Sequence, residues 1–571
     1  MKYVFFYLRP YVPKMLVGFL IKFTGTIMDL CLPWILAYVI DKVIPIGQIG
    51  SVIWWGVVML ACSVVAVVTN ILANRMAAAV ARDTTRRIRY DLFSKVAYLT
   101  NRQVDQFTIP SLISRMTSDT YNIHQMVGMM QRIGIRAPIL LIGGILVTLT
   151  LDPVLTLVLV SVLPFIVLIT VLVSRKGVPM FRVSQEMLDN MVRVVRENAA
   201  GIRVIKALSK TEDEKRHFDN VNKQVIQAEK KASVTMASIS PAMNLLLNVG
   251  LTLVVLVGAM RVNGGLGEVG EIVAFTSYFT IILNAMMTIT RIFTVYSKAS
   301  ASANRIGEVL SAPEEMTAQL KMQVAAGDDH VVFDHVSFSY NKKEDNLTDI
   351  HFAIKRGETL GIIGPTGAGK STIAQLLLRF YDVDKGEIRI GGRNIKEFEP
   401  GILREKFGVV FQNDVLFEDT IAENIRLGRD IGKEALEKAA QYAQAADFIS
   451  EREGYGSELA IKGANLSGGQ KQRVLIARAL AGDPEILILD DSSSALDYKT
   501  DASLRSDIRT HYSHTTTILI AQRVSTVMRC DHILVLDDGK MVGYGTHEEL
   551  MESCELYQEI ERIQMGGVDR G

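Results

Sequence analysis

Charge-free apolar stretches recur through the first half of this chain, and they restrict it to helices that cross a membrane. Ser51–Asn74, Pro153–Ser174, Ala232–Met260 and Ile272–Thr290 each run for 19 or more residues without Asp, Glu, Lys or Arg. At about 1.5 Å per residue, each spans a hydrocarbon core of about 30 Å. Two weaker spans complete a set of six. One runs from about Met15 to Ile40 and is interrupted by Lys22 and Asp29. The other runs from about Ile133 to Leu151 and meets its successor at the Asp152-Pro153 turn. A hydrophobic fraction of 49% and a mean hydropathy of +0.22 are too apolar for an ordinary soluble enzyme, and a net charge of +1 gives no sign of a nucleic-acid partner.

Lys and Arg set the orientation. The segment after the second span carries Arg75, Arg82, Arg86, Arg87, Arg89 and Lys95, and the one after the fourth carries Arg175, Lys176, Arg182, Arg193 and Arg196. The opposite loops, Asp41–Gly50, Asp152-Pro153 and Arg261–Glu271, are short and nearly uncharged, so both termini are expected in the cytoplasm. Val192, Val195, Ala199 and Ile202 fall at helical spacing between charges, which predicts membrane helices extended into the cytoplasm with hairpin tips near 101–125 and 203–218. Asp29 is expensive inside a span; it lines a substrate cavity or makes an interhelical hydrogen bond. Lys22 is expected to snorkel. The four cysteines are scattered, with neither metal spacing nor a disulfide framework, as in a reducing compartment.

After the sixth span the pattern decays. The segment 311–329 reads as a linker between a membrane domain, 1–310, and a second domain, 330–571. There apolar strands alternate with helices, as in an α/β domain with a largely parallel sheet. The run Thr359–Ile363 reads as a strand and Ile373–Leu378 as a helix; between them stands Gly364-Pro365-Thr366-Gly367-Ala368-Gly369-Lys370-Ser371-Thr372. Strand, Gly-x4-Gly-Lys-Ser, helix is the context of a phosphate-binding loop. Its glycines let several N–H groups face one anion, Lys370 reaches the β/γ-phosphates and Ser371 ligates Mg²⁺. Ile486–Asp490 is an apolar strand ending in an acid suited to holding Mg²⁺ beside phosphates. Between the two lies Leu466-Ser467-Gly468-Gly469-Gln470, opening a helix.

A phosphate loop alone indicates only a P-loop nucleoside triphosphatase. Leu466–Gln470 ahead of an acid-tipped strand, after six spans, resembles the ABC exporter half-transporters. The resemblance covers essentially the whole chain. It implies a six-span transmembrane domain followed by an α/β ATPase domain, ATP and Mg²⁺ as cofactors, and a second half-transporter chain as partner. By resemblance Tyr340 stacks on adenine, Gln412 contacts Mg²⁺, and Ser494-Ala495-Leu496-Asp497 runs along the dimer interface. Leu466–Gln470 would complete the partner's ATP site, the two hairpin tips would be coupling helices, and Asp29, followed by Pro33, would be architectural.

Three positions depart from that family. Where it has a glutamate that polarises the attacking water, this chain has Asp491, shorter by one C–C bond of about 1.5 Å; a misplacement of about 1 Å can cost ~100-fold in rate. Where it has a histidine at the γ-phosphate, this chain has Gln522, which carries no positive charge. Glu458–Gly463 replaces a more acidic run with Ala460 and Ile461. The expectation is one half of a bacterial heterodimeric exporter of lipophilic compounds (drug-like, lipid or peptide), with a degenerate ATP site in the plasma membrane. Its alternatives are a slow homodimer and an ATP-gated non-pump.

Overall fold

The structure, a computed structural model, describes residues 1–313, 329–492 and 494–565. The segment read as a linker therefore lies mostly outside the described residues. The chain divides into two units, one of residues 1–96 and 110–311, the other of residues 97–109 and 312–571. The second unit takes in Ala97–Ile109, a piece of the hairpin between the second and third spans that the sequence groups with the membrane helices.

In the first unit six helical spans are long and apolar enough to cross a membrane: Lys2–Ile46, Ile49–Ala97, Ile109–Leu151, Pro153–Ala200, Thr211–Asn263 and Val269–Leu310. The second, at 49 residues, is about 74 Å long, more than twice a hydrocarbon core, which is the extension that helical spacing through the basic segments predicts. Asp152 ends the third span and starts the fourth. Its carboxylate accepts from the backbone N–H of Val154 (2.7 Å) and Leu155 (3.1 Å), with Pro153 at the first helical position. Arg261 donates to the other oxygen at 2.7 Å, so a two-residue turn also ties the fifth span to this end.

The core of this unit centres on Phe275, Tyr278, Phe279 and Ile282 of the sixth span, packed with Leu30, Leu155, Leu159 and Val254. The Tyr278 hydroxyl donates to the Leu30 carbonyl at 2.5 Å. Gly250 is small by necessity, because a Cβ there would stand 2.1 Å from the Phe279 ring. The intramembrane charges have partners. Asp29 receives Arg136 of the third span at 2.9 Å, the interhelical bond rather than an unpaired charge. Lys22 does not snorkel. It is 3% exposed and donates to Asn70 (2.7 Å) and Asn74 (3.1 Å) of the second span, whose side-chain amides replace water around the ammonium.

Among the described residues the second unit holds ten strands: β1 (Asp329–Phe338), β2 (Leu347–Lys355), β3 (Thr359–Ile363), β4 (Lys385–Ile390), β5 (Arg393–Asn394), β6 (Phe407–Val410), β7 (Ile486–Asp490), β8 (Thr516–Ile520), β9 (His532–Asp537) and β10 (Lys540–Gly545). They form one sheet in the order β5-β4-β1-β2-β10-β9-β3-β8-β7-β6. The sheet is mixed rather than largely parallel: β1, β2, β4 and β5 pair antiparallel, while β3, β6, β7 and β8 pair parallel. Eight residues join β1 to β2, enough for a hairpin and too few for the crossover that parallel pairing requires. The parallel strands are apolar along their length and β7 is buried at all five residues, as helix-covered strands must be.

Asp119 in the first unit is buried at 1% exposure and is held by Arg305 and by the Ser302 hydroxyl (2.8 Å). Breaking a buried ion pair by removing one partner costs about 3–5 kcal/mol. Arg305→Ala is therefore expected to lower the melting temperature of the detergent-solubilised chain, whereas Arg216→Ala, at an exposed i,i+3 pair with Asp213, leaves it unchanged.

Candidate functional site

Four neighbouring parallel strands, β3, β8, β7 and β6, end on the same side of the sheet, and the segments leaving their carboxyl ends build one cavity. Ligands of α/β sheets bind at this edge. The cavity encloses about 220 Å³ and is lined by Thr366, Gly367, Gly369, Lys370, Ser371 and Thr372 after β3, by Gln412 after β6, by Asp490 and Asp491 at the end of β7, and by Ile520, Ala521 and Gln522 at the end of β8. The β3–β8–β7 ladders run without a slip from Leu360 against Ile518 to Asp490 against Ile520, so residues more than 100 positions apart in sequence are set at one level.

The loop after β3 turns on glycine. Gly367 and Gly369 hold φ of +90° and +91°, a region closed to side chains other than briefly, and a Cβ on Gly367 would meet nothing within 4 Å. The backbone there is open to close approach. Gly369 caps the helix Lys370–Leu377, whose N-terminus faces the cavity with its unpaired N–H groups. The Lys370 ammonium donates to the carbonyls of Gly364 and Pro365, both at 2.8 Å. Burial pushes the Lys370 ammonium down from its ordinary range, opposed by the charges of Asp490 and Asp491. Burial pushes the Asp490 carboxyl up, against a hydrogen bond from the Ser371 hydroxyl, and the neighbouring Asp491 charge adds to the rise. Two crowded carboxyls with a hydroxyl and the Gln412 amide make a set of hard oxygen donors that fits Mg²⁺. Glycine-exposed backbone and a helix N-terminus fit the phosphates.

The Asp491 carboxylate is occupied. Gln522 Nε2 donates to its Oδ2 at 3.3 Å and Gln412 Nε2 to the same oxygen at 3.5 Å. Its backbone stands at φ +49°, with its N–H on the Ile520 carbonyl at 2.9 Å.

The remaining candidates lie outside this cavity. Tyr340 is one step away; its hydroxyl bonds Thr372 Oγ1 (3.2 Å) and Gln375 Oε1 (2.8 Å), and its ring meets Tyr381 edge-on at 5.0 Å. Gln375 and Tyr381 were missed by sequence reading; the polar position in Ile373-Ala374-Gln375-Leu376 was the available signal. Gly364 and Pro365 shape the loop, and Ala368 is buried beneath it. Leu466–Gln470 and Ser494–Asp497 pack together instead. Ser467 caps the helix Gly468–Leu480 by a reciprocal box with Gln470, Gln472 bonds Ser494 and the Ala495 N–H, and Gly469 has room for no Cβ clear of the Ala495 carbonyl, 3.0 Å away. Ile461, in the departing run, is 65% exposed. Within this unit the short helix Asn101–Phe107 presents Asp105 to the Tyr381 hydroxyl at 2.6 Å.

Residues 15–286 match the family described as ABC transporter transmembrane region, and residues 347–494 match the family described as ABC transporter. The chain is 34% identical to the uncharacterised ABC transporter ATP-binding protein YfiB of Bacillus subtilis, covering 98% of both chains. This chain belongs to the ABC transporter family. It is an exporter half-transporter, a transmembrane region fused to an ATP-hydrolysing domain. It is also 31% identical to the uncharacterised ABC transporter ATP-binding protein Rv1273c of Mycobacterium tuberculosis, over 98% of each. A solved structure of a bacterial Atm1-family ABC exporter with ATP bound superposes with a TM-score of 0.81 at 26% identity, over 97% of this chain and 98% of that one.

In this ABC transporter Lys370 is the cation nearest the exposed loop backbone, and Lys370→Ala is expected to weaken ATP binding at least ~100-fold, given the low polarity around a half-buried ammonium. Fluorescent-nucleotide titration of the purified chain checks it.

Proposed function

We propose that this chain is one half of an ATP-driven exporter whose own nucleotide site binds ATP well and hydrolyses it poorly. The observation that carries this reading is the Asp491 carboxylate, one bond shorter than glutamate and held by the amides of Gln522 and Gln412. A carboxylate one bond short and turned to two amides on its own chain is poorly placed to take a proton from a water beyond it, and Gln522 supplies a dipole where a cation would stabilise developing phosphate charge. The holding residues are complete. The loop from Gly364 to Thr372 would cradle the phosphates, Tyr340 would stack on adenine, and Ser371, Gln412 and Asp490 would hold Mg²⁺. Mg²⁺, when bound, supplies charge neutralisation between the phosphates.

Leu466, Ser467, Gly468, Gly469 and Gln470 lie away from this cavity with their helix capped and intact, which suits them to complete the site of a second half-transporter chain, with Ser494, Ala495, Leu496 and Asp497 beside it. Hydrolysis would then fall mainly at the partner's site, in a heterodimer. The six spans form the membrane domain through residue 310, residues 311–329 link it to the ATPase domain, and the Lys and Arg asymmetry puts that domain and both termini on the cytoplasmic side of a bacterial inner membrane. The apolar, methionine-containing spans suit a small lipophilic cargo: a drug-like compound, a lipid or a peptide.

The deciding measurement is Mg-ATPase turnover of the chain purified alone, beside Asp491→Glu/Gln522→His. Negligible turnover in the parent and a rise of at least ~100-fold in the double variant is the expected result. Robust turnover in the parent means a homodimer with a working aspartate, and the degenerate-site reading falls.

A further inference from the structure

The outer part of the sheet carries a second cluster of chemically able side chains, unconnected with the nucleotide cavity. His335 of β1 and Asp349 and His351 of β2 are all exposed, and one ligating atom from each lies within 4.8 Å of the other two. The backbone is bent to bring them there. The β1–β2 ladder slips between Phe333 and Val336, and His335 and Asp349 stand at φ +50° and +55°. Positive φ is uncommon outside glycine, and both residues lie in the irregular stretch of this strand pair.

A hydrogen bond fixes one imidazole tautomer. His351 Nδ1 lies 3.1 Å from the Asp349 backbone carbonyl; a carbonyl can only accept, so Nδ1 carries the proton and Nε2 keeps its lone pair. An imidazole oriented through its other nitrogen by a carbonyl is what metal centres use to set a histidine ligand. His335 Nδ1 lies 2.6 Å from Asp349 Oδ1, so these two ligand atoms already stand side by side, where a cation can replace the proton they share. The two rings are stacked, with centroids 5.0 Å apart and 30° between planes. They gain little from burial there, since the side chains of His335 and Asp349 are 65% and 62% exposed.

We propose that His335, Asp349 and His351 form a surface site for a borderline divalent transition cation, Zn²⁺ being the physiological choice. Two imidazole nitrogens and one carboxylate oxygen suit Zn²⁺, Cu²⁺ and Ni²⁺ and are a poor match for Mg²⁺ or Ca²⁺. Bonds of about 2.0–2.1 Å in a tetrahedron put ligands roughly 3.3 Å apart, so the exposed side chains close in by about 1.5 Å and water fills the open position. The site bridges two strands, and its mechanical effect is to staple β1 to β2. The loop of that hairpin carries Tyr340, whose N–H is held by the Asn346 side chain at 3.0 Å, so the cation stiffens the strands on either side of that residue.

The test is Zn²⁺ titration of the full-length chain in detergent against a chromophoric chelator, with hydrogen exchange followed in parallel. Asparagine tolerates positive φ, so His335→Asn keeps the bulge, and His351→Gln keeps polarity on an exposed strand. The expected result is one Zn²⁺ per chain that is lost in His335→Asn/His351→Gln, with each single variant at least ~10-fold weaker and slower exchange in β1 and β2 of the parent on adding Zn²⁺. Equal uptake by parent and double variant, with the metal then on cysteines or elsewhere, overturns the proposal. So does no uptake by the parent at about 100 μM Zn²⁺.

Discussion

The unbroken parallel register of β3, β8, β7 and β6 is the constraint on which the nucleotide site depends. Each pair is in step from its first residue to its last, so the chain leaves all four strands at one level. The phosphate loop, Gln412, the Asp490–Asp491 pair and Gln522 come from four distant stretches of sequence and are neighbours only because of that alignment. A one-residue slip of any strand would turn its side chains to the opposite face and displace the site by about 3.3 Å. The apolar run of each strand is thus a positioning device as well as core, and the Ile486–Leu489 side chains hold Asp490 at the cavity, where burial raises its carboxyl.

The first unit answers a different problem, that of charge in an apolar slab. Asp29 with Arg136, and Lys22 with Asn70 and Asn74, each tie two spans together. A hydrophobic force between helices is weak where lipid is equally apolar, so polar bonds and small-residue contacts such as Gly250 against Phe279 carry more of the specificity. These contacts also decide which helices are neighbours.

How much of this was legible in the sequence follows from how local each signal is. The six spans and the phosphate loop were readable because length, charge content and glycine spacing are properties of one segment. The acid at the end of β7 was readable because four apolar residues followed by Asp leave few alternatives. Lys22 was misjudged because its partners stand on another helix some 50 residues away, and two asparagines in an apolar span carry no label. The antiparallel half of the sheet was hidden in the same way, since pairing direction depends on connection length, and the eight residues between β1 and β2 can be counted only once both strand ends are placed. Gln375 and Tyr381 were invisible until folding set them beside Tyr340.

Asp491 joins these strands of reasoning. Its φ of +49° is a conformation that aspartate visits at lower cost than longer side chains, because its short carboxylate bonds the local backbone. A glutamate at the same place carries more backbone strain and reaches further, which is the usual bargain at a catalytic position. The shorter acid takes this φ, and the glutamine amides at 412 and 522 meet its carboxylate. Stability and chemistry pull in opposite directions at this residue. Apart from Gln522, the rest of the cavity keeps the pattern read from the sequence, since the phosphate loop and Asp490 are fixed by the sheet and by positive φ at Gly367 and Gly369. On the proposed reading, a chain that hydrolyses poorly at its own site still has reason to bind nucleotide there, because the residues that would hold the nucleotide are the same ones that the fold already requires.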